Sequence, residues 1–482
     1  MLDFKKPLAL LLPVLILTGC AVGPTYDAPE TPVDDSFTVT DNVSRESASI
    51  QWWQQFSDPL LNDLIEQAKE GNYSLKIAAE RVKLADSYRQ AVSATKLPQI
   101  GLGFGYTETS LSKQGPIGGP LLEPSIGGIP LGTSLIDREL PAWYAGASIA
   151  WEPDVFNRTG YLEDAALART EQVEILAYAT EMMVTASVAN NYLQLRGAQQ
   201  QLSILDRQID DLEQLKDKVA GLVRSGLAAS AQESRVDSAL AASRAIRPQV
   251  ETAINVHMHR IAILLGKPPL SLVQQLSEAR GFPELEGIIP VGLPSDLLTR
   301  RPDIRIAERQ MKVANAELGA AIANQYPRFY LTGAPGSVAT DFDELFSSGS
   351  GFWNVNAGVQ WNLFDGGLRA ALEAVAEHQT QTSALAYQRT VLQAFGEVES
   401  LLSAYGNSQK SIKQMEAAVD SARTAISKVE NLKANGLAST PDVLQARMEL
   451  HQLESTLTTA RTGHASLVVT LYKALGGHWE TV

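Results

Sequence analysis

The residues able to do chemistry are few and scattered. The chain of 482 residues holds six histidines and a single cysteine. His257 and His259 stand two apart in a stretch that reads as helix, so they face different ways and cannot share a metal or a proton. Gly101-x-Gly103-x-Gly105 could pass for a phosphate-cradling loop, but it lies inside a strand pattern and no helix follows it. None of the histidines falls in a triad or metal spacing, so this inventory points away from an enzyme. Cys20 is different. It ends Leu17-Thr18-Gly19-Cys20, behind Lys5, Lys6 and an apolar run from Leu8 to Leu17 that is too short to span a bilayer. Residues 1–19 read as an export signal and Cys20 as the acceptor of a covalent N-terminal lipid such as palmitate. No second cysteine exists for a disulfide, and no cofactor or metal is expected. Ala21, where this class can carry Asp, points to delivery to the outer membrane.

The elements that hold these residues are written twice. Trp151, Gly226-Leu227-Ala228 and Leu265-Gly266 recur as Trp361, Gly436-Leu437-Ala438 and Leu475-Gly476, each 210 residues later. Such a register marks two copies of one structural unit. Leu202, Leu205, Ile209, Leu212, Leu215, Val219 and Leu222 form a seam with steps of three and four. Ile412, Met415, Val419, Ala422, Ala425, Val429 and Leu432 repeat it. No proline lies between Pro153 and Pro248 or between Pro335 and Pro441. An unbroken helix of about 65 residues is on the order of 100 Å long, more than an ordinary globular domain accommodates. The predicted units are a tether and equatorial segment over 20–56, a first repeat over 57–281 and a second over 282–482. The first has strands near 99–111 and 142–152, a long helix near 157–225, a tip near 226 and a helix near 230–265. The second has strands near 328–339 and 352–363, a long helix near 366–435, a tip near 436 and a helix near 440–475.

The strands alternate with period two. Trp353, Val355, Ala357, Val359, Trp361 and Leu363 interleave with Asn354, Asn356, Gly358, Gln360 and Asn362. Ile100, Leu102, Phe104 and Tyr106 interleave with glycines, Trp143 to Trp151 repeats the pattern, and Phe329 to Val338 is interrupted by Pro335. Apolar residues on one face, polar ones on the other and tryptophans near the ends make the pattern of a membrane barrel strand, with Trp143, Trp151, Trp353 and Trp361 as girdle aromatics. No apolar run of 18 follows Cys20, so a closed barrel is the way this chain can cross a membrane. Pro98 to Trp151 spans 53 residues and Pro327 to Trp361 only 34, which assigns the Gly- and Pro-rich stretch Gly115 to Pro141 to a longer surface loop. Four strands cannot close a barrel, and lipid tolerates no open sheet edge, so several chains must share one. The net charge of −14 argues against nucleic acid as a partner.

Longer motifs carry a resemblance. They include Cys20-x-x-Gly23-Pro24-x-Tyr26-x-x-Pro29, Trp52-Trp53-x-x-Phe56-x-Asp58-Pro59-x-Leu61 and Leu298-x-x-Arg301-Pro302-Asp303-Ile304. Ala314-Asn315-Ala316-x-x-Gly319, Trp361-x-Leu363-Phe364-Asp365-Gly366-Gly367 and Leu471-Tyr472-Lys473-Ala474-Leu475-Gly476-Gly477 continue the series. With these the chain resembles the lipoprotein branch of the TolC-like outer-membrane efflux factors, the relatives of OprM and NodT. The resemblance implies a mixed α and β membrane protein. Its homotrimer would form a twelve-stranded outer-membrane β-barrel, four strands per chain, continued by a long α-helical periplasmic barrel. Shorter helices about Leu61–Thr95 and Asp303–Asn324 fill the remaining helical positions. Asp365, with Gly366 and Gly367 behind it, caps a long helix, and Asp154 has that part in the first repeat.

The implied function is the outer-membrane channel of a tripartite efflux system. Its partners would be a periplasmic adaptor, an inner-membrane pump of RND type and outer-membrane lipid. The resemblance puts adaptor docking at the two helical tips: Arg224, Gly226, Leu227, Ala228 and Ser230, and Gly436, Leu437, Ala438 and Ser439. There the glycines supply left-handed turns, and Ser230 or Ser439 helps start the next helix. Family members carry gating acids six and nine residues after the second glycine, positions held here by Asp442 and Gln445, and Glu430 is a further gate candidate. A type I protein secretion duct and a non-conducting structural envelope lipoprotein are the alternatives. Cys20→Ser is expected to abolish incorporation of labelled palmitate into the mature chain while outer-membrane fractionation persists. Retained labelling would exclude this thiol as the acceptor.

Overall fold

The structure is a computed structural model that describes residues 21–477 apart from 30, 32, 34–35, 39–42, 45–50, 127, 279, 284 and 286–287. The predicted export signal and Cys20 lie outside the described residues. The chain forms two compact units. One takes in residues up to 27 together with 85–170 and 311–383, and the other takes in 28–84, 171–310 and the chain from 384 onward.

Duplication is carried through to element ends. Helix α1 covers Pro59–Gly71 and α2 Tyr73–Ala94. Strands β1 (Gln99–Ser110) and β2 (Glu139–Trp151) lead into α3 (Arg158–Arg224) and α4 (Ser230–Leu264). The second copy has α5 (Pro302–Ala323), β3 (Arg328–Ala339), β4 (Gly351–Gln360), α6 (Leu368–Ala434) and α7 (Thr440–Ala474). The long helices are both 67 residues and their followers both 35, with both ends of each pair offset by 210. Before the hairpin loops the offset is 229, which relates α2 to α5 and β1 to β3 at both ends. The difference lies in the β1–β2 loop, which holds a short helix, Gly118–Leu122, and a ribbon pairing Ser125–Ile126 with Ile129–Pro130. Among the described residues no helix is long and apolar enough to cross a membrane.

In the strand unit the order is β1-β2-β3-β4, antiparallel throughout. The register sorts the side chains cleanly, because directly paired residues share a face. Ile100, Leu102, Phe104 and Tyr106 pair with Ile149, Ala147, Ala145 and Trp143. Trp151 and Ile149 pair onward with Leu331 and Gly333, and Leu331, Gly333 and Pro335 with Ala357, Val355 and Trp353. One face of the sheet is therefore apolar, and the other carries Gly101, Gly103, Ser148, Thr332, Asn354 and Asn356. Pro335 does not end β3. It opens the β2–β3 ladder instead, which pairs Gly146 with Gly336 and resumes at Ile149 with Gly333, because proline has no N–H to give. β4 stops at Gln360, so Trp361 and Leu363 sit just past the strand predicted to contain them.

The helical unit corrects a second expectation. The segment predicted as one helix about Leu61–Thr95 is two, broken at Asn72, whose backbone is extended. Its Oδ1 accepts from the N–H of Ser74 (2.7 Å) and Leu75 (3.2 Å), starting α2, while its Nδ2 donates to the Leu264 carbonyl at 2.7 Å. Pro248 sits inside α4 without ending it. The first apolar seam is buried at Leu205, Leu212, Leu215 and Val219, whereas in the second Val419 is buried and Leu432 is 44% exposed.

The family motifs make up the core of each unit. Trp52 stacks on Tyr472 (centroids 5.1 Å apart), and the Tyr472 hydroxyl donates to Gln55 at 2.6 Å. Asp58 caps α1 through the N–H of Leu60 (2.9 Å) and accepts from the Tyr192 hydroxyl at 2.5 Å. Burial and that carboxylate push the Tyr192 phenol up to about 12. Buried Arg301 donates to the Ala474 carbonyl at the end of α7 (2.7 Å), to Glu397 on α6 (2.7 Å) and to Asp303 at the start of α5 (2.8 Å). In the strand unit, the Gly23 N–H donates to the Tyr161 hydroxyl (2.8 Å), and Gly319 packs so tightly on that ring that a methyl there would approach it to 2.6 Å. Arg301→Leu is expected to cost about 3 kcal/mol, since it strands a carboxylate and a helix-end carbonyl. A thermal melt in detergent checks this, and an unchanged midpoint would remove Arg301 from the equatorial core.

Candidate functional site: sheet faces and helical tips

The tips are built alike from local hydrogen bonding. Gly226 and Gly436 have φ of 71° and 74°, and no heavy atom lies within 4 Å of where a side chain would begin on either. The glycines therefore serve the left-handed turn and not packing. The N–H of Leu227 donates to Leu222 and that of Leu437 to Leu432, both at 2.8 Å. Gly226 donates to Val223 and Gly436 to Lys433, both at 3.0 Å. This double closure satisfies carbonyls that end α3 and α6. It leaves Leu227 and Leu437 at the apexes, 76% and 75% exposed. Arg224 is exposed beside the first apex, and Ala228 and Ala438 are half-buried.

The two tips differ at the helix start that follows. Ser439 caps α7: its hydroxyl and N–H donate to the Asp442 carboxylate at 2.6 and 2.7 Å, and the N–H of Asp442 points back to Ser439. These bonds hold the Asp442 carboxyl below the usual carboxylate range. Ser230 does not cap α4. The cap position is Ala229, with no side-chain bond. In the 210-residue register Ser439 corresponds to Ala229, so counting from the glycine would have found the difference.

The gate candidates separate. Asp442 and Gln445 are exposed on one stripe of α7, which continues through Glu449 and Gln452. Glu430 instead accepts from Arg447 at 2.9 Å. The same guanidinium donates to buried Asp211 on α3 at 3.1 Å, and the other oxygen of Asp211 accepts from Nε2 of buried His451 at 2.8 Å. Sequence reasoning missed this clasp of α3, α6 and α7, because Asp211 and Arg447 are 236 residues apart. Beneath it Leu215, Val219 and Leu444 form an apolar cluster.

The strand unit carries the aromatic ends. Trp143 packs on Tyr106 at 5.0 Å and on Phe342 at 5.2 Å, and Trp353 is 77% exposed. The indole N–H of Trp151 donates to the Lys96 carbonyl (2.9 Å) and that of Trp361 to Gln325 (3.0 Å), the same bond in each repeat. The eight-residue spacing within each tryptophan pair corresponds to about 26 Å of strand, close to the ~25 Å apolar band of an outer-membrane barrel. The exits into the long helices share a left-handed residue, while their aspartates stand one residue out of register and bond different N–H groups. Asn157 has φ 61° where the register puts Gly367 (φ 90°), and Asn tolerates that conformation. Asp154 accepts from the Gly160 N–H at 2.8 Å, and Asp365 from Gly367 at 3.1 Å. Two histidines sit in packing contacts: His257 bonds Asn191 at 3.0 Å and His464 bonds Ser408 at 2.7 Å. Among the described residues no group of three or more His, Cys, Asp or Glu could hold a metal.

A sheet with one apolar face and paired helical hairpins of this size define an outer-membrane channel protein. Residues 64–267 and 293–477 match the outer membrane efflux protein family, and the chain belongs to it. It is 30% identical over 483 residues to the solvent efflux pump outer membrane protein SrpC of Pseudomonas putida, covering 97% of each. It is 26% identical over 492 residues to the probable outer membrane lipoprotein SilC of Salmonella typhimurium, covering 99% of each. Among solved structures it resembles the outer-membrane channel OprN with TM-score 0.84 and 28% identity, over 95% of this chain and 100% of that one. The protein is thus an outer-membrane component of an efflux pump, with the mixed α and β fold of that channel family. Asp211→Ala is expected to destabilise the helical unit by about 3 kcal/mol, since it leaves Arg447 and His451 without their shared partner. With Arg447→Ala the losses should be non-additive by about 1–3 kcal/mol. Additive losses in a double-mutant cycle of thermal melts would dissolve the clasp.

Proposed function

We propose that three copies of this chain close one twelve-stranded barrel in the outer membrane. In this reading the barrel passively conducts solutes delivered by a periplasmic adaptor and an inner-membrane pump of RND type. One observation carries it. The four-stranded sheet presents a predominantly apolar face, with Glu108 and Glu139 near one end of it, while β1 and β4 each keep one edge unpaired among the described residues. In lipid such edges must be paired, and more copies of the same sheet pair them without a new element. Gly23, three residues after Cys20, bonds Tyr161, and Val22 packs with Tyr161, Ala320 and Ala323. A lipid on Cys20 would therefore start beside the strand unit, and outer-membrane lipid is the matching partner.

Leu227 and Leu437 at the apexes suit an adaptor, because they are apolar, rigidly held and nearly identical in setting. Asp442, repeated around a threefold axis, would form an acidic ring that attracts cations. The clasp of Glu430, Arg447, Asp211 and His451 would set how readily the tip opens. Planar-bilayer conductance of the purified protein tests the channel, and its absence in both the wild type and Arg447→Ala would reject it. Leu437→Asp together with Leu227→Asp is expected to abolish efflux in cells while leaving trimers in the outer membrane, since both side chains are solvent-exposed and outside the packing. Undiminished efflux would move adaptor contact away from the apexes. Arg447→Ala should open the tip and raise conductance several-fold. Equal conductance would leave the clasp a purely structural device.

A further inference from the structure

Two tyrosines stand on the polar face of the sheet, and each lies over a glycine. Tyr144 on β2 is paired with Gly105 on β1, and Tyr330 on β3 with Gly358 on β4. A methyl carbon on Gly105 would come to 2.6 Å from the Tyr144 hydroxyl, and one on Gly358 to 2.1 Å from the Tyr330 ring. Neither glycine has a positive φ, so neither is there for its backbone. Glycine inside a strand costs stability, and an aromatic ring laid across it from the next strand recovers contact. The arrangement occurs once in each repeat. The same face holds Gly101, Gly103, Ser148, Thr332, Asn354 and Asn356, and its one ionised side chain within the strands is Arg328, at the start of β3.

We propose that Tyr144 and Tyr330 determine the solute size the barrel passes, and that Gly105 and Gly358 are the docks that hold their rings flat against the wall. The inference rests on the barrel reading, in which this face lines the bore. Three chains would contribute six such rings. A ring lying on its glycine leaves the bore open, whereas a ring pushed off has the bore as its free space. The face also carries Phe352, whose ring lies against Gly336, and the aliphatic Leu140 and Val338. Apart from Arg328 its remaining groups are small or amide, so the two tyrosines are the largest rings it presents. Tyr144 neighbours Trp143, and Tyr330 lies next to Leu331, which pairs with Trp151, so the two rings sit near opposite ends of the apolar band.

The test is single-channel conductance of Gly358→Ala, Tyr330→Ala and the double variant, with Gly105→Ala and Tyr144→Ala as the parallel set. All are measured also in the Arg447→Ala background, so that a shut tip is not mistaken for a narrow barrel. Alanine suits strand geometry, and what it displaces is the movable end of a tyrosine, so folding should survive; trimers on a semi-native gel confirm assembly. Gly358→Ala is expected to lower conductance at least twofold, Tyr330→Ala to match or exceed the wild type, and the double variant to behave as Tyr330→Ala. Wild-type conductance in Gly358→Ala, or a double variant as low as Gly358→Ala alone, would overturn the proposal. A parent that conducts in neither background would instead reject the barrel reading itself.

Discussion

In hydrocarbon a backbone N–H or C=O without a partner costs several kcal/mol, and water is not there to help. The rest of the molecule answers to that constraint. Four strands of 10–13 residues present an apolar face suited to lipid and two free edges that are not. Helices satisfy their own backbones, which is why α3 and α6 can each run 67 residues without a sheet to support them. Strands cannot do so, and a chain that places them in lipid needs neighbours.

Duplication supplies the remainder, and the places where it is imperfect are informative. Left-handed residues recur at Gly226 and Gly436, at Gly266 and Gly476, and at Asn157 and Gly367. Each long helix must begin and end in a turn that an ordinary side chain resists, so both copies retain glycine or asparagine there. The copies part at the start of the returning helix, where Ser439 and Asp442 cap α7 and Ala229 leaves α4 without a side-chain cap. The second tip is thus the more firmly constructed. It also supplies Glu430, Arg447 and His451 to the clasp, while the first copy contributes Asp211.

Much of this was legible in advance, because the signals are local or periodic. Alternation along Trp353 to Val359 marks a strand face, steps of three and four mark the helical seams, and glycine after a long helix marks a turn. The break at Asn72 was missed although Asn is a strong helix-starting residue, because apolar spacing continues across it and the bond from Asn72 to the distant Leu264 carbonyl adds to its local cap. Ser230 was misread as a cap because a serine one residue too late looks the same by composition. Arg301 was visible as a motif but without a role, since its partners Glu397 and Ala474 are 96 and 173 residues away.

The sequence by itself determined the two copies, the strand and helix segments, which side of each strand is apolar, and the family. Those properties follow from backbone geometry acting over a few residues and from a register that counting reveals. Only the tertiary structure decided which carboxylates are free and which are held. Glu430 and Asp442 are both acids near one tip, yet one is tied to an arginine across helices and the other to the serine that starts its own helix. It also decided that tyrosine rings rest on glycines of the adjacent strand. The arginine bond and the tyrosine–glycine contacts depend on the register between separate elements, which a pattern within one element does not encode.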